Sequence, residues 1–338
     1  MMKNYLLTAS VVLSAFAYPS VATAADLFSE IYVFGDSLSD TGNAFTGTGG
    51  LIPPSPPYFN GRFSNGPIWV ELLASDLGLT PNPSTNFAIG GATTAVEALF
   101  TIADPPVQVP VPGVLGQVNG FVAGLQATGS SADPDALYTI WAGANDYLFN
   151  NVTDASGPVS NLEMAIATLA GVGAQNILVA NLPSLGLLPL TNDNPVVSAG
   201  LNGLTQAHNA GLLDTVNDLD STLSPEVELT LLDINSIFND VVANPTQFGF
   251  TNITESCLAS VEPLVVCNNP DEHFFWDTIH PTTVTHEIIA TAALNALHEP
   301  TSVPEPGISI LGTIAVGVLG KAIERRQKMQ QGTGASRR

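Results

Sequence analysis

The sequence predicts an α/β fold built on a mainly parallel sheet. Five short runs, residues 31–34, 86–89, 136–141, 176–181 and 228–234, are apolar in continuous rather than alternating fashion. That pattern suits strands covered on both faces. Stretches of helical pattern separate the runs, and such alternation belongs to a parallel sheet with crossover helices. The third observation is that the first three runs end in polar, glycine-rich stretches: "GDSLSD", "GGAT" and "GAND". Ligands of open parallel sheets sit beyond the carboxyl ends of the strands.

In chain order, the first run leads into a loop at 46–64, rich in Gly and Pro, and then a helix is expected over 67–79. The second run is followed by a loop at 102–112 and a helix over 113–127. The third precedes a helix at 161–171, the fourth a helix at 197–219, and the fifth a loop at 245–270 and a closing helix at 282–297. Five runs predict a five-stranded sheet. There is no internal repeat and no clear interdomain linker, so residues 25–300 read as one unit.

The chain has 338 residues, with hydrophobic content of 45%, enough to fold. Its charge is unevenly placed. Between residues 25 and 320 there is one basic residue, Arg62, against 29 acidic ones, a formal charge of −28. Such a body repels nucleic acid and anionic membranes and excludes them as partners.

Both ends read as addresses. Lys3, the apolar "YLLTASVVLSAFAY" and the small residues of "ATA" form an export signal over 1–24; the alternative is a membrane anchor. Export implies an oxidising compartment, in which Cys257 and Cys267 can close a small loop as a disulfide. Two buried free thiols are the alternative. Residues 301–338 hold a Pro-Glu-Pro, an apolar run from 307 to 320 and a basic cluster. Fourteen apolar residues are short for a membrane span. The three-part order resembles the PEP-CTERM sorting signal, which implies an exosortase-like processing partner, with a plain weak anchor as the alternative. The expected destination is the periplasm, the outer surface or the extracellular matrix.

A serine hydroxyl is a poor nucleophile until a base takes its proton. Ser37 lies where a strand turns away from the sheet, so its hydroxyl can project above the sheet edge. Of five histidines, His208, His286 and His298 fall in helical patterns and read as packing or surface residues, and His273 lies in an acidic loop. His280 differs. In "WDTIHPT", Asp277 precedes it by three residues and Pro281 comes directly after. Proline suits the first position of a helix, leaving His280 at the helix entrance. A short turn can bring the Asp277 carboxylate to one ring nitrogen and hold the imidazole in one tautomer. Asn145, just past the third run, can donate to a forming oxyanion, and so can the N–H of Gly91, where no Cβ blocks the substrate. A helix cap and a tight turn are the structural alternatives for these two. Asp36 and Asp40 read as loop-fixing hydrogen-bond formers. No His, Cys and carboxylate cluster has metal-ligand spacing, and no cofactor is expected.

Together these stretches resemble the GDSL, or SGNH, family of serine esterases and lipases, over most of residues 30–298 and in family order. "FGDSLSDTGN" is similar to its first block, "NFAIGGAT" to the second, "GAND" to the third and "DTIHPT" to the last. "NGRFSNGPIWVE" is similar to the stretch after the first block in lipase-like members. The resemblance implies a three-layer, flavodoxin-like α/β/α sandwich, with Ser37 as nucleophile, His280 as base and Asp277 as acid. It implies an oxyanion hole formed by Ser37, Gly91 and Asn145. The activity implied is hydrolysis of a carboxylic ester or lipid by a secreted enzyme. Acyl transfer to a sugar or lipid, and a non-catalytic surface protein on a hydrolase scaffold, are the competing functions. The Gly-x-Ser-x-Gly of the other common serine-hydrolase scaffold is absent.

Overall fold

The computed structural model describes residues 27–102 and 107–298. The export signal expected over 1–24 and the tail expected over 301–338 lie outside the described residues. The elements run β1 Ile31–Gly35, α1 Asn43–Gly47, α2 Trp69–Asp76, β2 Glu97–Ile102, β3 Val107–Pro112 and α3 Val114–Thr128. Then come β4 Leu137–Trp141, α4 Ala144–Leu148, α5 Ser156–Gly171, β5 Asn176–Ala180, α6 Pro195–Thr222, β6 Glu228–Leu232 and α7 Ile234–Ala243. The chain closes with β7 Asn252–Ser256, β8 Leu258–Ser260, β9 Val265–Val266, β10 His273–Phe275 and α8 Thr283–His298.

The central sheet is parallel, in the order β1-β4-β5-β6. Its side chains alternate between two cores. Ile31, Val33, Trp141, Leu178 and Leu232 pack under α2, α7 and α8. Phe34, Tyr138, Ile140, Val179 and Leu229 pack under α3, α5 and α6. This is the three-layer α/β/α sandwich. Both faces are buried, which is why the strands read as unbroken apolar runs.

The sheet has four strands, not five. The run 86–89 lies along the free edge of β1, but only Val33 and Asn86 form a bridge. Phe87 N–H donates to Val33 O at 2.7 Å and Ile89 N–H to Gly35 O at 3.2 Å. Side chains take the other backbone groups of the run. Asn43 Nδ2 donates to Asn86 O and Ala88 O, and Asn86 Oδ1 accepts from Ala88 N–H. Those groups face away from β1; on the β1 side the ladder stops because the Gly35 N–H, which would go to Phe87 O, is taken by Gln117 Oε1.

Two expected loops carry structure. Part of 102–112 is the second arm of the antiparallel β2–β3 hairpin, in which Ala98 and Val111 form one buried cross-strand pair. The alternation of Val109 and Val111 with Pro110 and Pro112 is a strand signal that the prolines obscure, and proline is tolerated on such an edge. The 245–270 stretch contains β7, β8 and β9, and β7 pairs with β10. Helix α7, unexpected from the sequence, begins at Asp233, whose carboxylate accepts from Ser236 N–H at 3.1 Å.

Two histidines expected to be packing or surface residues are fully buried. His208, on α6, meets Tyr147 O–H through Nδ1 at 2.9 Å and crowds Gly143. His286, on α8, lies under Trp69, with its Nδ1 3.4 Å from the Trp69 nitrogen. Burial lowers the His208 pKa to about 4, and burial together with the charge of His280 lowers that of His286 to about 3. Over the window below 6.5, the unfolded chain protonates these rings while the folded chain does not. Their contribution to stability therefore falls with falling pH. His208→Gln, which can still accept from Tyr147, removes one titration. Urea melts between pH 7 and 4 are expected to show the wild type losing stability relative to this variant. The loss is about 1.4 kcal/mol per pH unit below the unfolded pKa.

Candidate active site

The site lies past the carboxyl ends of β1 and β4. β1 ends at Gly35, and the chain turns through Asp36 and Ser37. Gln117 of α3 stands beside that end like a further strand. Its Oε1 accepts from Gly35 N–H and its Nε2 donates to Gly35 O, both at 2.9 Å. The turn itself is closed by Asp36, whose Oδ1 accepts from Leu38 N–H at 3.0 Å.

From the far end of the chain, β10 leads into Asp277–His280. Trp276 N–H donates to His280 O at 2.7 Å, which folds these residues into a tight turn. Inside it, Asp277 Oδ1 accepts from Ile279 N–H at 2.8 Å and His280 N–H at 2.7 Å. The same carboxylate reaches the imidazole, with Oδ2 at 2.7 Å from His280 Nδ1. The opposite ring nitrogen, Nε2, is 2.8 Å from Ser37 Oγ. So a hydroxyl, an imidazole and a carboxylate line up from sequence positions 243 apart. Pro281 is not the first residue of the helix as expected. It bridges to Phe275, and α8 starts at Thr283, where the N–H is taken by Asn65 Oδ1 at 2.8 Å.

Burial alone would raise the Asp277 pKa. The charge of His280 and the hydrogen bonds from His280 and Tyr58 outweigh it, so the carboxyl titrates below the usual range. Asp36 behaves oppositely. It is buried, and desolvation pushes its carboxyl up to about 7 against the pull of Leu38 N–H and His280.

Asn145, one of the expected oxyanion donors, meets the segment that carries Gly91. Asn145 is in the first turn of α4, where Gly143 and not Asn145 is the cap. Gly143 has φ of 126°, and a Cβ there would come within 2.8 Å of His208. The Asn145 Nδ2 donates to Ala92 O at 2.9 Å and lies 3.4 Å from Asp36 Oδ2. It therefore stands between the nucleophile turn and the residue after Gly91. The N–H groups of Ser37 and Gly91 make no backbone hydrogen bond to another described residue. Gly91 has φ of 83° and touches the ring of Phe100 on β2, which a Cβ would strike at 2.2 Å. Only glycine fits both demands.

Asp40 ties the first block to the second. Fully buried, it accepts from the N–H groups of Gly42, Asn43, Ala44 and Gly90. Asp146 does similar work between the third block and Thr94, whose N–H and hydroxyl it accepts at 3.0 and 2.8 Å. Asp36 and Asp40 thus make the loop-fixing bonds expected of them.

Tyr58, Phe63, Phe100 and Gln117 escaped the sequence reading. Tyr58 O–H donates to Asp277 Oδ2 at 2.7 Å. The Phe63 ring lies 5.1 Å from the His280 ring and against Gly90. Tyr58 has no motif around it, and Phe63, though inside "NGRFSNGPIWVE", has nothing there that points to His280, so only the fold reveals their places. The 46–64 loop supplies both Tyr58 and Phe63. Cys257 and Cys267 are joined by a disulfide beside Trp276. His273 Nδ1 is 3.4 Å from Cys267 Sγ, but sulfurs bonded to one another offer no thiolate to a metal. A cavity lined by Thr41, Arg62, Glu71 and Asn86 lies apart from Ser37, and Arg62 there is held by Glu71 at 2.6 Å.

Residues 31–293 match the family profile described as GDSL-like Lipase/Acylhydrolase. A phosphatidylcholine-sterol acyltransferase of Aeromonas hydrophila is 32% identical, with 79% of this chain and 89% of that protein covered. A thermolabile hemolysin of Vibrio parahaemolyticus is 26% identical over 80% of this chain and 64% of its own length. The GDSL esterase/lipase APG of Arabidopsis thaliana is 27% identical, over 80% and 91% respectively. Among solved structures, a lipolytic G-D-S-L protein of Veillonella parvula aligns with a TM-score of 0.41 and 15% identity, covering 79% of this chain and 96% of that one.

Replacing Asp40 with Asn leaves one acceptor for four N–H donors. Asp40→Asn is expected to cost about 2 kcal/mol or more in a urea melt and to lower ester turnover as Gly90 and Gly91 shift.

Proposed function

The chain belongs to the GDSL-like lipase/acylhydrolase family and is an ester-bond hydrolase; from that membership we propose that it works by a Ser-His-Asp acyl-enzyme mechanism and is exported. The observation that carries the mechanism is the chain of contacts from Ser37 Oγ through His280 to Asp277, at 2.8 and 2.7 Å.

Ser37 Oγ attacks the ester carbonyl carbon as its proton passes to His280 Nε2. Asp277 stabilises the imidazolium and keeps Nδ1 protonated. The oxyanion forms against the N–H groups of Ser37 and Gly91 and the amide of Asn145. Collapse expels the alcohol, which takes the proton from Nε2. Water, deprotonated by the same nitrogen, then releases the acid and restores Ser37. Aromatic and apolar side chains around the triad, Phe63 and Phe100 among them, favour an apolar acyl group. The acidic body disfavours anionic lipid surfaces and so favours neutral esters.

A second reading is acyl transfer to an alcohol. It is favoured by the acyltransferase name of the 32% identical Aeromonas relative. The two readings share Ser37, His280 and Asp277 and differ only in what accepts the acyl group.

For export, the disulfide Cys257–Cys267 fits an oxidising compartment. The leader at 1–24, the hydrolase unit over 25–300 and a PEP-CTERM-type tail over 301–338, trimmed by an exosortase-like protease, complete the proposal. Among the described residues no helix is long and apolar enough to cross a membrane.

Ser37→Ala is expected to abolish cleavage of a short chromogenic ester and labelling by a fluorophosphonate; full activity in that variant defeats the mechanism. Asn145→Ala is expected to lower kcat by about 10²–10³ with the fold intact, judged by circular dichroism. Product analysis with and without an added sterol or other alcohol separates hydrolysis from transfer.

A further inference from the structure

Asp277 is crowded with donors. Oδ1 holds the N–H groups of Ile279 and His280. Oδ2 is shared between His280 Nδ1 and a residue 219 positions earlier in the chain, Tyr58, each at 2.7 Å. We propose that Tyr58 is a positioning residue of the Asp277–His280 couple, holding the carboxylate against the imidazole and drawing part of its negative charge away from it. The proposal rests on the Ser-His-Asp reading above.

Three observations support it. First, the phenol is placed by packing from several sides. Its ring meets Phe63 and Trp276 edge-on, each at 6.4 Å between centroids. Phe63 in turn lies on the His280 ring. Tyr58 also packs against the cluster of Cys257, Leu258 and Trp276. The N–H groups of Cys257 and Leu258 donate to Phe275 O and Trp276 O, so this cluster is continuous with the turn that carries Asp277. Second, the group is a donor. Burial, and then the negative charge of Asp277, push the Tyr58 hydroxyl above its ordinary pKa, so it keeps its proton at any working pH. Third, without that hydroxyl one lone pair of a largely covered carboxylate oxygen would lose its partner, at a cost.

The consequence is chemical as well as geometric. A carboxylate that shares its charge with a second donor pulls less on the imidazolium proton, so removing the phenol strengthens that pull. A residue that only fills space would not change this. The other charged or titratable groups around the imidazole are Asp36 on the β1 turn and His286 on α8, with Asp40 and Asp146 behind Asp36. All four remain when Tyr58 is altered, so their effects cancel in a comparison of variant with wild type.

Tyr58→Phe keeps the ring and removes the hydroxyl. In kcat/KM for a water-soluble short-chain ester measured against pH, the acid limb is expected to move up by about half a unit to one unit. The plateau is expected to fall about threefold to tenfold, carried by kcat and not by KM. Tyr58→3-fluorotyrosine, a stronger donor, is expected to move the limb the opposite way. The downfield proton resonance of His280 Nδ1 should shift in both variants, a readout that requires no turnover. Superimposable pH profiles and an unmoved resonance in Tyr58→Phe, with only Tyr58→Leu losing thermal stability, overturn the proposal and leave Tyr58 as packing. That result is separate from failure of the underlying mechanism, which would show as undiminished ester hydrolysis in Ser37→Ala.

Discussion

The 2.8 Å contact between Ser37 Oγ and His280 Nε2 closes a loop of 243 residues. Holding two side chains at that separation requires that both carriers be rigid, and each is made rigid by a different device. Ser37 rides on a turn whose strand is buried on both faces and whose end is bracketed by Gln117 and by Ile89. His280 rides on a turn closed by Trp276 N–H and by the Asp277 carboxylate. The α/β/α sandwich brings the two turns together, because α8 lies in the same core as β1 and α2.

The means of stabilising charge are unusual. Arg62 is the one Lys or Arg between residues 25 and 320 and is held by Glu71, so the carboxylates around Ser37 are not paired with Lys or Arg. Backbone N–H groups take the place of cations. Asp40 accepts four of them, and Asp277 accepts two besides the imidazole and the phenol. Backbone donors cannot swing away as a lysine can, so each buried acid also locks a loop. Charge stabilisation and site geometry are thereby the same set of hydrogen bonds. Even so, desolvation outweighs the four donors at Asp40 and raises its carboxyl above the usual range, and at Asp36 it raises the carboxyl to about 7.

Both hydrophobic cores serve this arrangement. The side holding α2, α7 and α8 supports His280 and takes in Ala144 and Tyr147 of α4, while His208 of α6 meets Tyr147 and crowds Gly143 from the other side. Asn145, on α4, and Ala92, after Gly91, then meet across the carboxyl edge at 2.9 Å. The β2–β3 hairpin adds a lining to that edge, since Phe100 rests on Gly91.

Much of this was legible in the order of residues. Continuous apolar runs announce strands buried on both faces, and four of the five runs are strands of the parallel sheet. Ser37, Asn145 and the Asp277–His280 turn stand out because reactive side chains directly follow, or closely precede, recognisable elements. What depended on tertiary contact was different in kind. The run 86–89 failed to become a strand of the sheet because Gln117, from α3, takes the Gly35 N–H that a continued ladder would give to Phe87 O. The hairpin at 97–112 was masked by prolines that only an unpaired edge accommodates. Nothing local marks the contacts of Tyr58, Phe63 and Phe100, even though Phe63 stands in a recognisable stretch, since an aromatic residue has many possible neighbours. A sequence records which groups can donate, accept or attack; only a folded chain decides which buried oxygen a distant phenol must satisfy, because that is set by packing among segments far apart in sequence.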